Sequence, residues 1–298
     1  MAHRLVTFST CPSSRQAAYF HRIEHPDYSA YWVTERSTKE LAEPLTANDI
    51  VVLYVHGGGF IVGNAFMYHQ WLIDLVNSYN RTSAKKLHLL AVDFTRAPIA
   101  RFPKQVEEVN AALHYVASIV PPQQLFVMGD MSGTGPALNA ICQLNVENVA
   151  GVALISPMTD LRTILGRQSD LSERHSYRSH NPEDVIDQAY LQKSLKHLLP
   201  LDMSNEMARM DARLNPVLYS DAIFQRAFDA AFVTYSTSEI LRSDQEALVR
   251  RLTTLGIQVD TMTQDLHPHD WPCHPSYCAK KTLYTAAVAR LAEWFAQH

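Results

Sequence analysis

Cysteine is sparse in this chain of 298 residues: Cys11, Cys142, Cys273 and Cys278 are the whole set. Four thiols are too few to staple a domain of this size, so a disulfide scaffold is excluded and the fold must rest on a buried core. Net charge is also low. With 26 Lys+Arg against 30 Asp+Glu the formal charge is −4, which offers no electrostatic footprint for nucleic acid or an anionic membrane. No apolar run approaches the roughly 20 residues of a membrane-spanning helix. The opening stretch, MAHRLVTFSTCPSSRQAAYF, lacks the continuous apolar segment of a secretory signal, so a cytoplasmic setting is expected. Internal repeats and low-complexity tracts are missing too. What remains is 47% hydrophobic and 19% charged residues, the composition of a globular domain with one sizeable core. The expected partner is a small molecule; a homodimer is left open.

Apolar runs alternate with helical patterns, which predicts an α/β fold: a mostly parallel central sheet flanked by helices, in a single domain over 1–298. Ile50 to Val55 reads as a buried strand, as do Leu87 to Phe94, Gln124 to Met128, Gly151 to Ile155 and Ala230 to Tyr235. Val106, Val109, Leu113 and Val116 recur at helical spacing. Leu241, Leu248, Leu252 and Leu255 outline another helix, closed by Gly256, and Leu283, Leu291 and Trp294 a last one. Two segments break the rhythm. Residues 1–45 are irregular apart from a strand near Ala30 to Val33, and residues 162–205 are charged and His-rich. Both are expected to form a lid or cap.

Two motifs carry chemistry. His56-Gly57-Gly58-Gly59-Phe60 follows a strand, and glycines there let backbone N–H groups converge on a developing oxyanion. The run lacks the Gly-Lys-Ser/Thr of a phosphate-binding P-loop. About 75 residues on, Gly129-Asp130-Met131-Ser132-Gly133 has the pattern of a Gly-x-Ser-x-Gly nucleophile elbow with methionine at the tip. A thioether has no proton to lose and forms no hydrolysable acyl-enzyme. Ser132, one residue later, is placed to lend its backbone N–H to the same oxyanion hole as Gly57, Gly58 and Gly59. Making Ser132 the nucleophile would shift the register and leave Asp130 where the tight turn wants glycine. His267, His269, Asp270, Cys273, His274 and Cys278 are metal-ligand types, but their spacing fits no common zinc site, so neither metal nor cofactor is expected.

Over roughly residues 48–297 the chain resembles the hormone-sensitive-lipase-like branch of the α/β hydrolases, particularly its fungal acetyl-hydrolase-like members. The resemblance rests on the HGGGF loop, Asp93-Phe94-Thr95-Arg96-Ala97-Pro98 with Phe102-Pro103, the elbow, Ser156-Pro157-Met158-Thr159-Asp160-Leu161 and two C-terminal blocks. It implies an α/β-hydrolase fold and a triad in the order nucleophile, acid, histidine. The acid position matches Glu239 in Ser236-Thr237-Ser238-Glu239-Ile240-Leu241-Arg242, with Asp244 as the nearest alternative. The histidine matches His269 in Pro268-His269-Asp270-Trp271-Pro272, with His267 as its competitor. The nucleophile position matches Met131, where the family carries serine in Asp-Ser-Ala-Gly-Gly. Together these imply a non-hydrolytic enzyme of the lyase, cyclase or isomerase type, working on a small carbonyl-containing metabolite through a His269–Glu239 acid/base pair. Two alternatives stand beside it. One is a carboxylic ester hydrolase, with Ser132 as nucleophile or Met131 as an inactivating replacement of the serine. The other is a non-catalytic, ligand-binding pseudohydrolase.

Overall fold

The computed structural model describes residues 12–144, 148–166 and 184–298. Among these, eight strands form one sheet: β1 (Phe20–Glu24), β2 (Ser29–Val33), β3 (Asp49–Val55), β4 (Lys86–Val92), β5 (Leu125–Asp130), β6 (Gly151–Ile155), β7 (Ala230–Ser236) and β8 (Gln258–Gln264). Their order is β1-β2-β4-β3-β5-β6-β7-β8. From β4 to β8 every pairing is parallel, whereas β1 and β2 add an antiparallel edge through β2 against β4.

A period of two explains why β3 is apolar along its length. Ile50, Val52 and Tyr54 face one side of the sheet and Val51, Leu53 and Val55 the other, and both sides are covered. On the first side lie α1 (His69–Thr82), through Trp71, Leu72, Leu75 and Val76, and the C-terminal helix, through Leu291, Trp294 and Phe295. On the second lie α2 (Lys104–Ile119), through Val106, Val109, Leu113 and Val116, and α3 (Thr134–Gln143), through Ala137, Leu138 and Ile141. Downstream come α4 (Gln188–Leu198), α5 (Arg242–Thr254) and α6 (Lys281–Gln297). The turn after α5 is closed by Gly256 at φ +80°, a left-handed conformation that glycine adopts without steric cost.

The segments expected to cap the fold divide. Within 1–45, Ser29–Val33 and Phe20–Glu24 belong to the sheet itself, because Ser29–Val33 pairs with β4 at an otherwise open edge and Phe20–Glu24 pairs with Ser29–Val33. Residues 1–11, with Cys11, and residues 167–183 lie outside the described residues. Of the second segment, α4 brings Tyr190 and Ser194 close to Gly59, beyond the end of β3, and Asp184 accepts from Ile240 N–H. Cys142, Cys273 and Cys278 are buried free thiols. No helix among the described residues is long and apolar enough to cross a membrane.

Parallel strands deliver their carboxyl ends, and the loops that leave them, to one edge of the sheet. His56 follows β3, Met131 follows β5, Ser156 follows β6, Glu239 lies just past β7 and His269 just past β8. Five loops far apart in sequence thereby share one site.

Candidate active site

The elbow is fixed by what its glycines exclude. A Cβ built on Gly133 would stand 2.1 Å from the Val55 carbonyl oxygen, and one on Gly129 would stand 2.9 Å from Gly133 backbone atoms. β5 therefore turns into α3 with no room for side chains at either position. The residue between them that takes the left-handed conformation is Met131, at φ +43°, a strained setting for a long side chain that marks the tip of such turns. Met131 is buried, and its carbonyl accepts from Thr134 Oγ1 at 2.5 Å and from Met158 N–H at 3.2 Å. Ser132 is fully buried in the turn, and its hydroxyl has no hydrogen-bond partner among the described residues.

The loop after β3 lies against this turn: a Cβ on Gly57 would be 3.0 Å from Met131 Cβ. Asp130 anchors it. Tyr54 OH donates to Asp130 Oδ1 at 2.6 Å and Gly57 N–H donates to Asp130 Oδ2 at 2.9 Å. That bond corrects one expectation, since the Gly57 N–H is committed to the carboxylate and is not a donor to a ligand. Gly57 is needed for a different reason: a Cβ there would meet Asp130 Oδ2 at 2.2 Å. Gly58 and Gly59 have φ of +101° and +61°. The N–H groups of Gly58, Gly59 and Ser132 donate to no acceptor among the described residues. A Cβ on Gly59 would meet Ser194 Oγ at 2.7 Å and Tyr190 OH at 2.8 Å, both from α4. That helix packs against Gly59.

Glu239 and His269 meet across 30 residues. His269 Nδ1–H donates to Glu239 Oε2 at 2.9 Å, with His269 1% exposed. Four donors in all hold the carboxylate. Ser156 Oγ and Ser236 N–H reach Oε1, each at 2.7 Å, Gln245 Nε2 reaches Oε2 at 2.6 Å, and the histidine completes the set. Such a carboxylate fixes the ring's tautomer and orientation. The alternatives point elsewhere. His267 Nδ1 lies 2.6 Å from the Asp265 carbonyl and its Nε2 accepts from Ala279 N–H, while Asp244 accepts from Thr163 Oγ1 at 2.9 Å. Among the described residues no three His, Cys, Asp or Glu side chains are grouped to hold a metal ion.

One participant was not singled out for this role by sequence reasoning. Asp270 sits at φ +57°, and its N–H donates to Ser156 Oγ at 3.0 Å. Ser156 thus accepts from one side of the site and donates to Glu239 on the other. This turn brings Asp270 Oδ1 to 3.7 Å from His269 Nε2, and neither atom has a hydrogen-bond partner among the described residues. The imidazole therefore lies between two carboxyl groups. Burial lowers its pKa, but the Asp270, Glu239 and Asp184 carboxylates outweigh burial and raise it to about 10. Burial raises Asp130 to about 6, and burial together with Asp130 pushes Asp270 up as well. The signal for Asp270 lay in its adjacency to His269, but only the left-handed backbone turns it toward Nε2.

Chemically the site offers three free N–H donors, an oriented imidazole and, at the tip, no nucleophile. A family model of the alpha/beta hydrolase fold matches residues 52–273. Among solved structures, a double mutant of the esterase E40 superposes with a TM-score of 0.76 at 21% identity, covering 97% of this chain and 87% of its own. An esterase from the bacterial hormone-sensitive lipase (HSL) family gives 0.73 at 21%, covering 93% and 84%. A hormone-sensitive lipase from a metagenome library gives 0.72 at 17%, covering 93% and 85%. At these identities the likeness is one of fold. The match over three quarters of the chain and these hormone-sensitive-lipase-like neighbours place it plainly: the chain belongs to the alpha/beta hydrolase fold family.

Proposed function

We propose that the site recognises small carboxylic esters as an ester hydrolase does, and that hydrolysis through an acyl-enzyme is switched off in this chain by Met131 at the nucleophile position. The observation that carries this is the pairing of free Gly58, Gly59 and Ser132 N–H groups with a buried His269–Glu239 pair, around a tip whose side chain cannot attack. The N–H groups are suited to a polarised ester carbonyl or the oxyanion it becomes. The imidazole is suited to the proton of a hydroxyl at the tip, which methionine lacks. The esterase structures that share the fold support the same substrate class.

The non-hydrolytic lyase or cyclase reading could use the same histidine and N–H groups, but it is the less supported of the two, because the solved structures that share the fold are esterases. Ser132 as nucleophile would need its Oγ hydrogen-bonded to His269 Nε2; both atoms are without partners among the described residues. The test is calorimetric titration with phenyl acetate, followed by product analysis. Saturable binding with at most trace release of phenol supports the proposal. Absence of binding, or turnover that survives His269→Ala, overturns it.

A further inference from the structure

Residues 184–198 meet the site at two places. At one, Asp184 reaches the turn after β7 that carries Glu239. Its Oδ2 accepts from Ile240 N–H at 2.8 Å and its Oδ1 from Ile186 N–H at 3.3 Å. Ile240 follows Glu239 directly, and its N–H donates to no backbone carbonyl among the described residues, so Asp184 supplies the acceptor for this amide. A few residues on, Asp187 caps α4, its Oδ1 accepting from Tyr190 N–H at 2.7 Å. At the second place α4 stands against the oxyanion loop: Tyr190 OH and Ser194 Oγ lie 2.8 and 2.7 Å from where a Cβ on Gly59 would be. One short segment therefore runs from the Glu239 turn to a free N–H of the cradle.

The segment is held in two different ways. Leu191, Leu195 and Leu198 bury one face of α4 in the core, but apolar burial is non-directional and does not by itself fix where the helix begins. A carboxylate that accepts two N–H donors is directional, and hydrogen bonds to a charged group are the stronger kind. We infer that Asp184 is a positioning residue for this site: it ties the start of the segment to the turn bearing Glu239 and thereby sets how Tyr190 and Ser194 stand against Gly59. The oxyanion loop is then held from two sides, by Asp130 at Gly57 N–H and by α4 at Gly59. The inference rests on the ester-site reading only in giving that loop a carbonyl to receive. Asp184 also carries charge toward the histidine. Burial lowers the His269 pKa, and Asp184 is the last-named, after Asp270 and Glu239, of the carboxylates that outweigh it. Anchor and charge are separable, because asparagine keeps an acceptor oxygen and loses the charge.

Amide hydrogen exchange, read residue by residue by NMR, tests this. In the parent chain Ile240 N–H and the amides of Tyr190 to Ser194 are expected to show protection factors within about tenfold of each other, since one local opening releases both. Asp184→Ala is expected to speed those α4 amides by roughly tenfold or more, the effect of losing a hydrogen bond to a charged group, while β5 and β6 keep their protection. Asp184→Asn is expected to stay close to the parent. Phenyl acetate, titrated by calorimetry, should bind several-fold more weakly to Asp184→Ala and with nearly parental affinity to Asp184→Asn. The parent-chain comparison needs no variant, so it decides even where a substitution disturbs folding, and the exchange arms need no ligand. A failure of the ester reading shows separately, as absent phenyl acetate binding to the parent chain. Protection of Ile240 more than tenfold apart from α4, unchanged α4 exchange in Asp184→Ala, a uniform loss of protection across the sheet, or an asparagine variant as fast as the alanine one would overturn the inference.

Discussion

Replacing Met131 by serine asks whether the missing hydroxyl is the only obstacle to hydrolysis. The elbow geometry is set by Gly129 and Gly133, so a serine at 131 inherits the left-handed tip, and its hydroxyl is expected to reach His269. Met131 is 3% exposed, and truncating it should cost about 1–3 kcal/mol in stability, read as a fall in Tm. The rate is a separate matter. With His269 at about 10, the neutral, proton-accepting ring at pH 7.5 amounts to roughly one molecule in 300. Met131→Ser should therefore hydrolyse an aryl acetate slowly at pH 7 and gain close to tenfold per pH unit up to about pH 9. The Met131→Ser/His269→Ala variant at each pH supplies the blank for spontaneous hydrolysis. Removing the Asp270 charge withdraws the first-named of the carboxylates that hold the proton on the ring. Asparagine tolerates the left-handed backbone at that position, so Met131→Ser/Asp270→Asn should fold and be faster at pH 7 by one to two orders of magnitude, with its pH profile levelling off at lower pH. Indistinguishable pH profiles for the single and double variants would refute the role assigned to Asp270. A Met131→Ser protein no faster than Met131→Ala at any pH would refute the placement of the tip.

Other consequences are independent of the restored serine. Gly58→Val forces φ +101° on a branched side chain and places its Cβ 2.2 Å from the Val62 carbonyl oxygen; phenyl acetate binding measured by calorimetry should be lost, and in the Met131→Ser background the rate should fall on the order of 10²–10³. Gly133→Ala collides with the Val55 carbonyl at 2.1 Å, and denaturant unfolding should show a loss of roughly 3 kcal/mol or more, if soluble protein forms at all. Tyr54→Phe removes the hydroxyl that donates to Asp130 at 2.6 Å and should lower stability by about 1–3 kcal/mol, since the buried carboxyl keeps its other bond and loses this one.

The sheet was legible because its central strands are buried on both faces and therefore apolar without interruption, as Ile50 to Val55 shows. Helices α2, α5 and α6 announced themselves through spacing. The antiparallel edge was not legible as part of the sheet, since whether a short strand such as Ser29–Val33 joins it depends on β4, some 60 residues away. At the site, the glycines and Met131 could be placed from motif spacing, but the commitment of the Gly57 N–H could not. It depends on Asp130, 73 residues later, turning its carboxyl back under the loop. Asp270 was visible as a residue beside His269 and invisible as its neighbour in space, because nothing local in Pro268-His269-Asp270-Trp271 declares a left-handed backbone. The link from Asp270 N–H through Ser156 to Glu239 joins three separate loops.

Covalent labelling with a fluorophosphonate, mapped by peptide mass spectrometry at pH 9, asks whether methionine stands in the nucleophile's place of an ester-hydrolase site. No label is expected on the parent chain, a stoichiometric adduct is expected at position 131 in Met131→Ser, and none in Met131→Ser/His269→Ala, because phosphonylation requires a hydroxyl activated by the histidine beside the oxyanion cradle. An adduct on Ser132 of the parent chain would contradict that placement of methionine, as would a folded Met131→Ser protein that stays unlabelled.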